Sequence, residues 1–179
     1  MIKKMTLLAM VVGAVAAFAA PGMANAAKLT QPKGTLVPVG TTLVGTSSNT
    51  VSVTTLGTIK CKKVTIFGIV EVNNGTTVTI GMDSTADKAE ECEVVGLGGV
   101  TIHPTLTTIH AENAGPGTAS FDFEVVGLCK AESNGTSEVT WNGTDVIKIK
   151  AGLKNCGTGS LTGEFTLETT AGVGIIAET

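Results

Sequence analysis

The 179-residue chain has no arginine and no tyrosine, a single tryptophan (Trp141), and only 3% aromatic residues. Without arginine there is no bidentate guanidinium to recognise phosphate, and lysines are outnumbered by carboxylates. Nucleic acid is thereby excluded as a partner, and an anionic membrane surface is disfavoured. Scarce aromatics leave little from which to build a sugar-stacking platform, and Trp141, on an alternating strand, reads as core. The chain has two histidines, His103 and His110. Their odd offset would place them on opposite faces of a strand, so they read as surface residues rather than a cooperating pair. There is no Gly-x-Ser-x-Gly elbow and no spacing that marks a nucleophile with its base. No catalytic residue, cofactor or metal site is assigned on these grounds.

What is present begins with an export signal. Lys3 and Lys4 precede an uncharged apolar stretch from Met5 to Ala20, which Pro21-Gly22 breaks. Ala24-Asn25-Ala26 then supplies small residues where a signal peptidase reads, which predicts cleavage after Ala26. The apolar core is short for a spanning helix, and no later segment is long and apolar enough to cross a bilayer as one. The expected organisation is a signal peptide over 1–26, an arm over 27–38 and a single domain over 39–179. Past the cleavage point, ten lysines face fifteen acidic residues.

Four cysteines remain after cleavage: Cys61, Cys92, Cys129 and Cys156. An even number in an exported chain predicts two disulfides, and the absence of a Cys-x-x-Cys pair argues against metal. Three connectivities are open; Cys61–Cys92 with Cys129–Cys156 is favoured because each bridge would staple a local pair of strands. The acidic residues Asp83, Asp87, Glu90, Glu91 and Glu93 lack the spacing of a calcium loop and read as a solvated surface.

The chain holds 29 threonines and 23 glycines. Thr and Val favour strands and Gly punctuates turns. Short alternating runs over Thr41–Gly45, Thr50–Leu56, Thr58–Val72, Thr76–Met82, Cys92–His103, Thr105–Ala111, Thr118–Val126, Thr136–Trp141, Thr144–Ala151, Ser160–Thr169 and Gly172–Ala177 predict an all-β protein. The class expected is an antiparallel β-sandwich (Ig-like) or partly open barrel, with at most one short helix, over Ser84–Glu91. Phe121-Asp122-Phe123-Glu124-Val125 predicts one apolar and one wet face. A two-residue loop at Asn74-Gly75 would set Ile69 opposite Ile80. At Asn142-Gly143, a three-residue loop or a bulge is needed to bring Val139 and Trp141 onto the face of Ile147 and Ile149. Asn74, Asn134 and Asn142 each open an Asn-Gly-Thr acceptor pattern for glycosylation, which also reads as an ordinary turn. Lys28–Pro38, with Pro32, Gly34 and Pro38, reads as a leading arm outside the core. Cys92-Glu-Val-Val-Gly-Leu97 and Phe123-Glu-Val-Val-Gly-Leu128 are locally alike.

Several stretches resemble secreted bacterial proteins described as activators of alkane oxidation. They are Cys61-Lys-Lys-Val-Thr-Ile-Phe-Gly68, Gly127-Leu-Cys129 running to Val139-Thr-Trp141-Asn-Gly-Thr144, and Cys156 followed by Gly159-Ser-Leu-Thr-Gly-Glu-Phe-Thr-Leu167. The resemblance implies an extracellular accessory role in hydrocarbon uptake or surface association, with no catalytic residue to carry over. The expectation is a non-enzymatic secreted or cell-surface protein whose partner is cell-surface material or an apolar interface. A fimbria-like subunit and a small-ligand or glycan binder are the alternatives.

Overall fold

The computed structural model describes residues 27–48, 50–112, 116–134, 137–141 and 143–178. The expected signal segment over 1–26, with its expected cleavage point, and Asn142 lie outside the described residues. β-Branched residues alternate with polar ones through most of what remains, and they form strands: β1 (Lys28–Thr30), β2 (Thr42–Ser47), β3 (Thr50–Thr54), β4 (Gly57–Asn73), β5 (Thr77–Met82), β6 (Lys88–Val94), β7 (Gly98–Val100), β8 (Ile102–Glu112), β9 (Gly117–Val125), β10 (Cys129–Ser133), β11 (Ser137–Trp141), β12 (Val146–Lys154), β13 (Gly159–Thr169) and β14 (Ile176–Glu178).

Several of these are halves of one longer strand. β2 and β3 run in succession along β4, from Thr42 opposite Ile69 to Thr54 opposite Gly57. On its other side β4 pairs with β5 and then β6. β7 with β8, and β10 with β11, make two more interrupted staves, while β9, β12 and β13 are continuous. Each stave is antiparallel to the next along the chain. The last, β13, returns to pair with β2 through Thr166 opposite Thr46 and with β3 through Leu161 opposite Ser52. The ladder therefore runs full circle. The all-β antiparallel class holds, and of the architectures expected the chain takes the barrel, with its sheet closed on itself.

Alternation sorts the side chains. Ile59, Val64, Ile66, Val70, Phe121, Phe123, Val125, Val139, Trp141, Ile147, Ile149 and Phe165 point inward and are buried. Lysines and glutamates point out, and register sets them opposite one another: Lys60 to Glu93, Lys63 to Glu90, Lys148 to Glu164. Exposed pairs of this kind add little stability, but cross-strand partners of opposite charge favour this register over a slipped one. Glycine makes room inside the wall. A Cβ on Gly68 would lie 2.6 Å from Ile80 Cγ2 and 2.9 Å from Met82 Sδ.

Several local expectations are corrected. Ser84–Glu91 is not a helix: residues 84–86 form a turn and β6 begins at Lys88. Helical propensity there is overridden by β6 pairing with β4, which buries Cys92 and Val94 and joins Cys92 to Cys61. At Asn74-Gly75, Val70 rather than Ile69 faces Ile80, and the register shifts between Val70 and Val72. The Asn74 carboxamide oxygen accepts from the Thr76 and Thr77 amides and builds a longer loop. Val139 and Trp141 do share a face with Ile147 and Ile149, but Trp141 pairs with Ile147 itself, so that loop is also longer than expected. The run Cys92–His103 turns back on itself at residues 95–97, and β10 was not anticipated.

The arm also differs from expectation. Ala27, Leu29 and Val37 are buried, and β1 pairs with β14. The reason is Asn73. Its carboxamide oxygen accepts from the Leu29 amide at 3.0 Å, and its NH2 group donates to the carbonyls of Leu29 at 2.8 Å and Val37 at 2.9 Å. One buried side chain thus satisfies three backbone groups of a segment with little regular pairing of its own. Asn73→Ala should leave the Leu29 amide and the Val37 carbonyl unsatisfied, while the Leu29 carbonyl keeps the Val37 amide as donor at 3.0 Å, and lower stability by about 2–4 kcal/mol. Limited proteolysis should then cut the Lys28–Pro38 segment first; an arm as resistant as in the unaltered protein would show that Asn73 does not hold it.

Candidate functional site

The barrel interior offers little space. Two small cavities lie inside it among the described residues. One of about 20 Å³ is lined by Ser52, Ile59, Val64, Phe121 and Phe123 among others, and one of about 10 Å³ lies around Gly45, Gly68, Ile80 and Leu167. The first has room for about one water, and neither admits a metabolite.

On the outer wall, a depression of about 390 Å³ lies over the Cys61–Cys92 bridge, between Ser48, Lys60, Lys62, Glu91, Glu93 and Gly99. Lys62 and Glu91 form an ion pair there, and the hydrogen bond to Glu91 raises the lysine above its usual range. Lysines and carboxylates alternate across the hollow, so it presents no single sign of charge. The second bridge, Cys129–Cys156, joins the start of β10 to the loop after β12.

The histidines are not on opposite faces. Leu106 and Ile109 both point inward while Thr107 and Thr108 are both exposed, and the pairing of β8 with β9 shifts there. That extra residue reverses the alternation and puts His103 and His110 both outside. His110 stands between two partners, with Nδ1 at 3.0 Å from Thr79 Oγ1 and Nε2 at 3.1 Å from Glu112 Oε1. This hydroxyl–imidazole–carboxylate row is a pattern that sequence spacing could not disclose, because Thr79 reaches His110 only through β5–β8 pairing. The row lies on the outer wall, where Thr79 and His110 are cross-strand partners. Its role on this geometry is cross-strand pairing.

The acidic run divides. Glu90, Glu91 and Glu93 face outward on β6, and Asp83 accepts from Thr85 in a turn. Asp87 is different. It sits where β5 gives way to β6, and its carboxylate accepts from the Phe67 amide at 2.9 Å and the Leu106 amide at 3.4 Å. A side chain here replaces the backbone carbonyl that an unbroken strand would offer its neighbours. No three His, Cys, Asp or Glu side chains converge as a metal site among the described residues.

The exposed apolar residues are more telling. Val95, Leu97, Val126 and Leu128 are 51%, 75%, 47% and 57% exposed. They sit on the β6–β7 and β9–β10 turns, which lie at the same end of the barrel. The two like segments noted in the sequence are these two turns. Protein-family models, characterised proteins and solved structures were compared with the chain, and none matches.

Burial raises Asp87 from 3.8 to about 6, opposed by its two amide donors and supported by nearby Asp83. Between about pH 4 and 6 the folded protein keeps a proton that the unfolded chain has lost. Stability from this group therefore falls as pH rises through that window and is level above it. Asp87→Asn should flatten that part of the profile of melting temperature against pH; an unchanged slope would contradict the assignment.

Proposed function

We propose that the chain is a non-enzymatic, exported barrel that works by surface contact, as an accessory that associates with cell-surface material or an apolar interface. The observation that carries this reading is the filled barrel: its interior cavities are too small for a substrate, and what the molecule offers is its outer wall and ends. Export rests on the signal pattern of residues 1–26. Two disulfides are compatible with it, and no helix among the described residues is long and apolar enough to cross a membrane. The accessory role in hydrocarbon uptake is what the family resemblance implies.

The alternatives gain less support. Strand donation between fimbrial subunits needs an exposed sheet edge, and the main ladder closes on itself, while the arm that might be donated is packed through Asn73. A glycan platform needs a set of exposed rings, but Trp141, Phe121, Phe123 and Phe165 are buried and, among the described residues, Phe67 alone is partly exposed. The test is partition of the oxidised chain from Ala27 onward between buffer, an alkane–water interface and insoluble cell-wall material. A reduced, unfolded sample serves as control. Capture of the folded form alone by either surface is expected; retention in buffer in every arm would overturn the contact reading.

A further inference from the structure

Two turns of this barrel are built alike. In Val94-Val95-Gly96-Leu97 and Val125-Val126-Gly127-Leu128, the first valine is buried. The leucine amide donates to that valine's carbonyl at 2.9 Å in both. The glycine has φ of 87° in one and 76° in the other, as the third position of a type II turn requires. That geometry constrains the glycine alone. The positions beside it usually hold polar residues in solvent-facing turns, yet here both turns place a valine and a leucine at the tip. The Val126 amide donates to the Thr101 carbonyl at 3.0 Å, tying the second turn to the stave that leaves the first.

The charges bordering these tips cancel in place. Lys60 is in register with Glu93 beside the first turn, and Lys130 with Glu124 beside the second. The tips therefore stand as uncharged apolar projections above a locally neutral rim. Four partly exposed Val and Leu side chains amount to on the order of 200 Å² of apolar surface, against about 800 Å² per partner in a stable protein interface. They are also convex, so a second copy of the chain would need a matching hollow to receive them. A fluid acyl layer needs none: it accepts protruding apolar side chains while polar flanks stay at headgroup level.

We propose that Val95, Leu97, Val126 and Leu128 form an anchor that inserts into the acyl layer of a neutral, zwitterionic lipid bilayer. The proposal rests on the contact reading and names its partner.

The test is flotation of the oxidised chain with phosphatidylcholine vesicles at low and high salt. Binding should be present and nearly independent of salt, because no net charge carries it. Leu97→Asp with Leu128→Asp should weaken it roughly tenfold or more, with the melting temperature unchanged. Leu36→Asp with Val173→Asp, on exposed apolar residues away from both turns, should leave binding intact. Full binding by the turn variant would overturn the anchor. So would self-association without vesicle binding, or capture by alkane or cell wall with none by vesicles; those two outcomes leave the contact reading standing. Only absence of capture by every surface removes both.

Discussion

The pairing of β13 with β2 and β3 is the interaction on which the rest of this structure depends. An eight-stave antiparallel sheet left open would expose two long edges of unpaired amides and carbonyls, and its apolar face would need a second layer to cover it. Closing the ladder answers both needs at once. The inward residues of opposite walls become one core, in which Ile59 and Val64 of β4 line the same small cavity as Phe121 and Phe123 of β9. Residues such as Gly68 then matter because a wall curved this tightly has no spare volume on its inner face.

Closure demands curvature, and the staves yield at defined places. β2 gives way to β3, β5 to β6 and β10 to β11, while β4 with β5 and β8 with β9 slip by a residue. At such places the backbone loses partners, and side chains supply them. Asp87 accepts from two staves at the β5–β6 break, Asn73 binds the arm, and Cys61–Cys92 joins β4 to β6 next to the point where their alternation slips. The polar residues that look most like candidates for chemistry are thus largely occupied in holding the wall together. Thr79, His110 and Glu112 belong to the same group, since they connect β5 to β8 across the outer face.

Much of this was legible in the sequence, for a definite reason. Period-two alternation, as in Phe121–Val125, reports directly which side of a sheet is buried, and turn glycines report where strands end. What was not legible is whatever depends on one extra residue. The slip at Thr107-Thr108 reverses the side on which His110 lies, and the shift near Glu71 exchanges Ile69 for Val70 on the inner face. Nor does local propensity show that Lys88–Glu91 would be recruited into half of a stave, since the decisive partner is β4, some twenty to thirty residues away. The alike Val-Val-Gly-Leu segments were visible as a repeat. That they share an end of the barrel, with side chains in solvent, required the topology.

The proposed contact function rests on the same closure, which packs the described interior and turns charged and apolar turn residues outward. Amide hydrogen exchange measured residue by residue tests that closure most directly. If β13 pairs with β2 and β3, then amides of all three that donate across these ladders, on either flank, should be protected to the level of global unfolding, like those of the central β4. Fast exchange confined to one flank of β2–β3 and the facing flank of β13, with β4 still protected, would mean that the sheet is open, and the account of a closed barrel would fail.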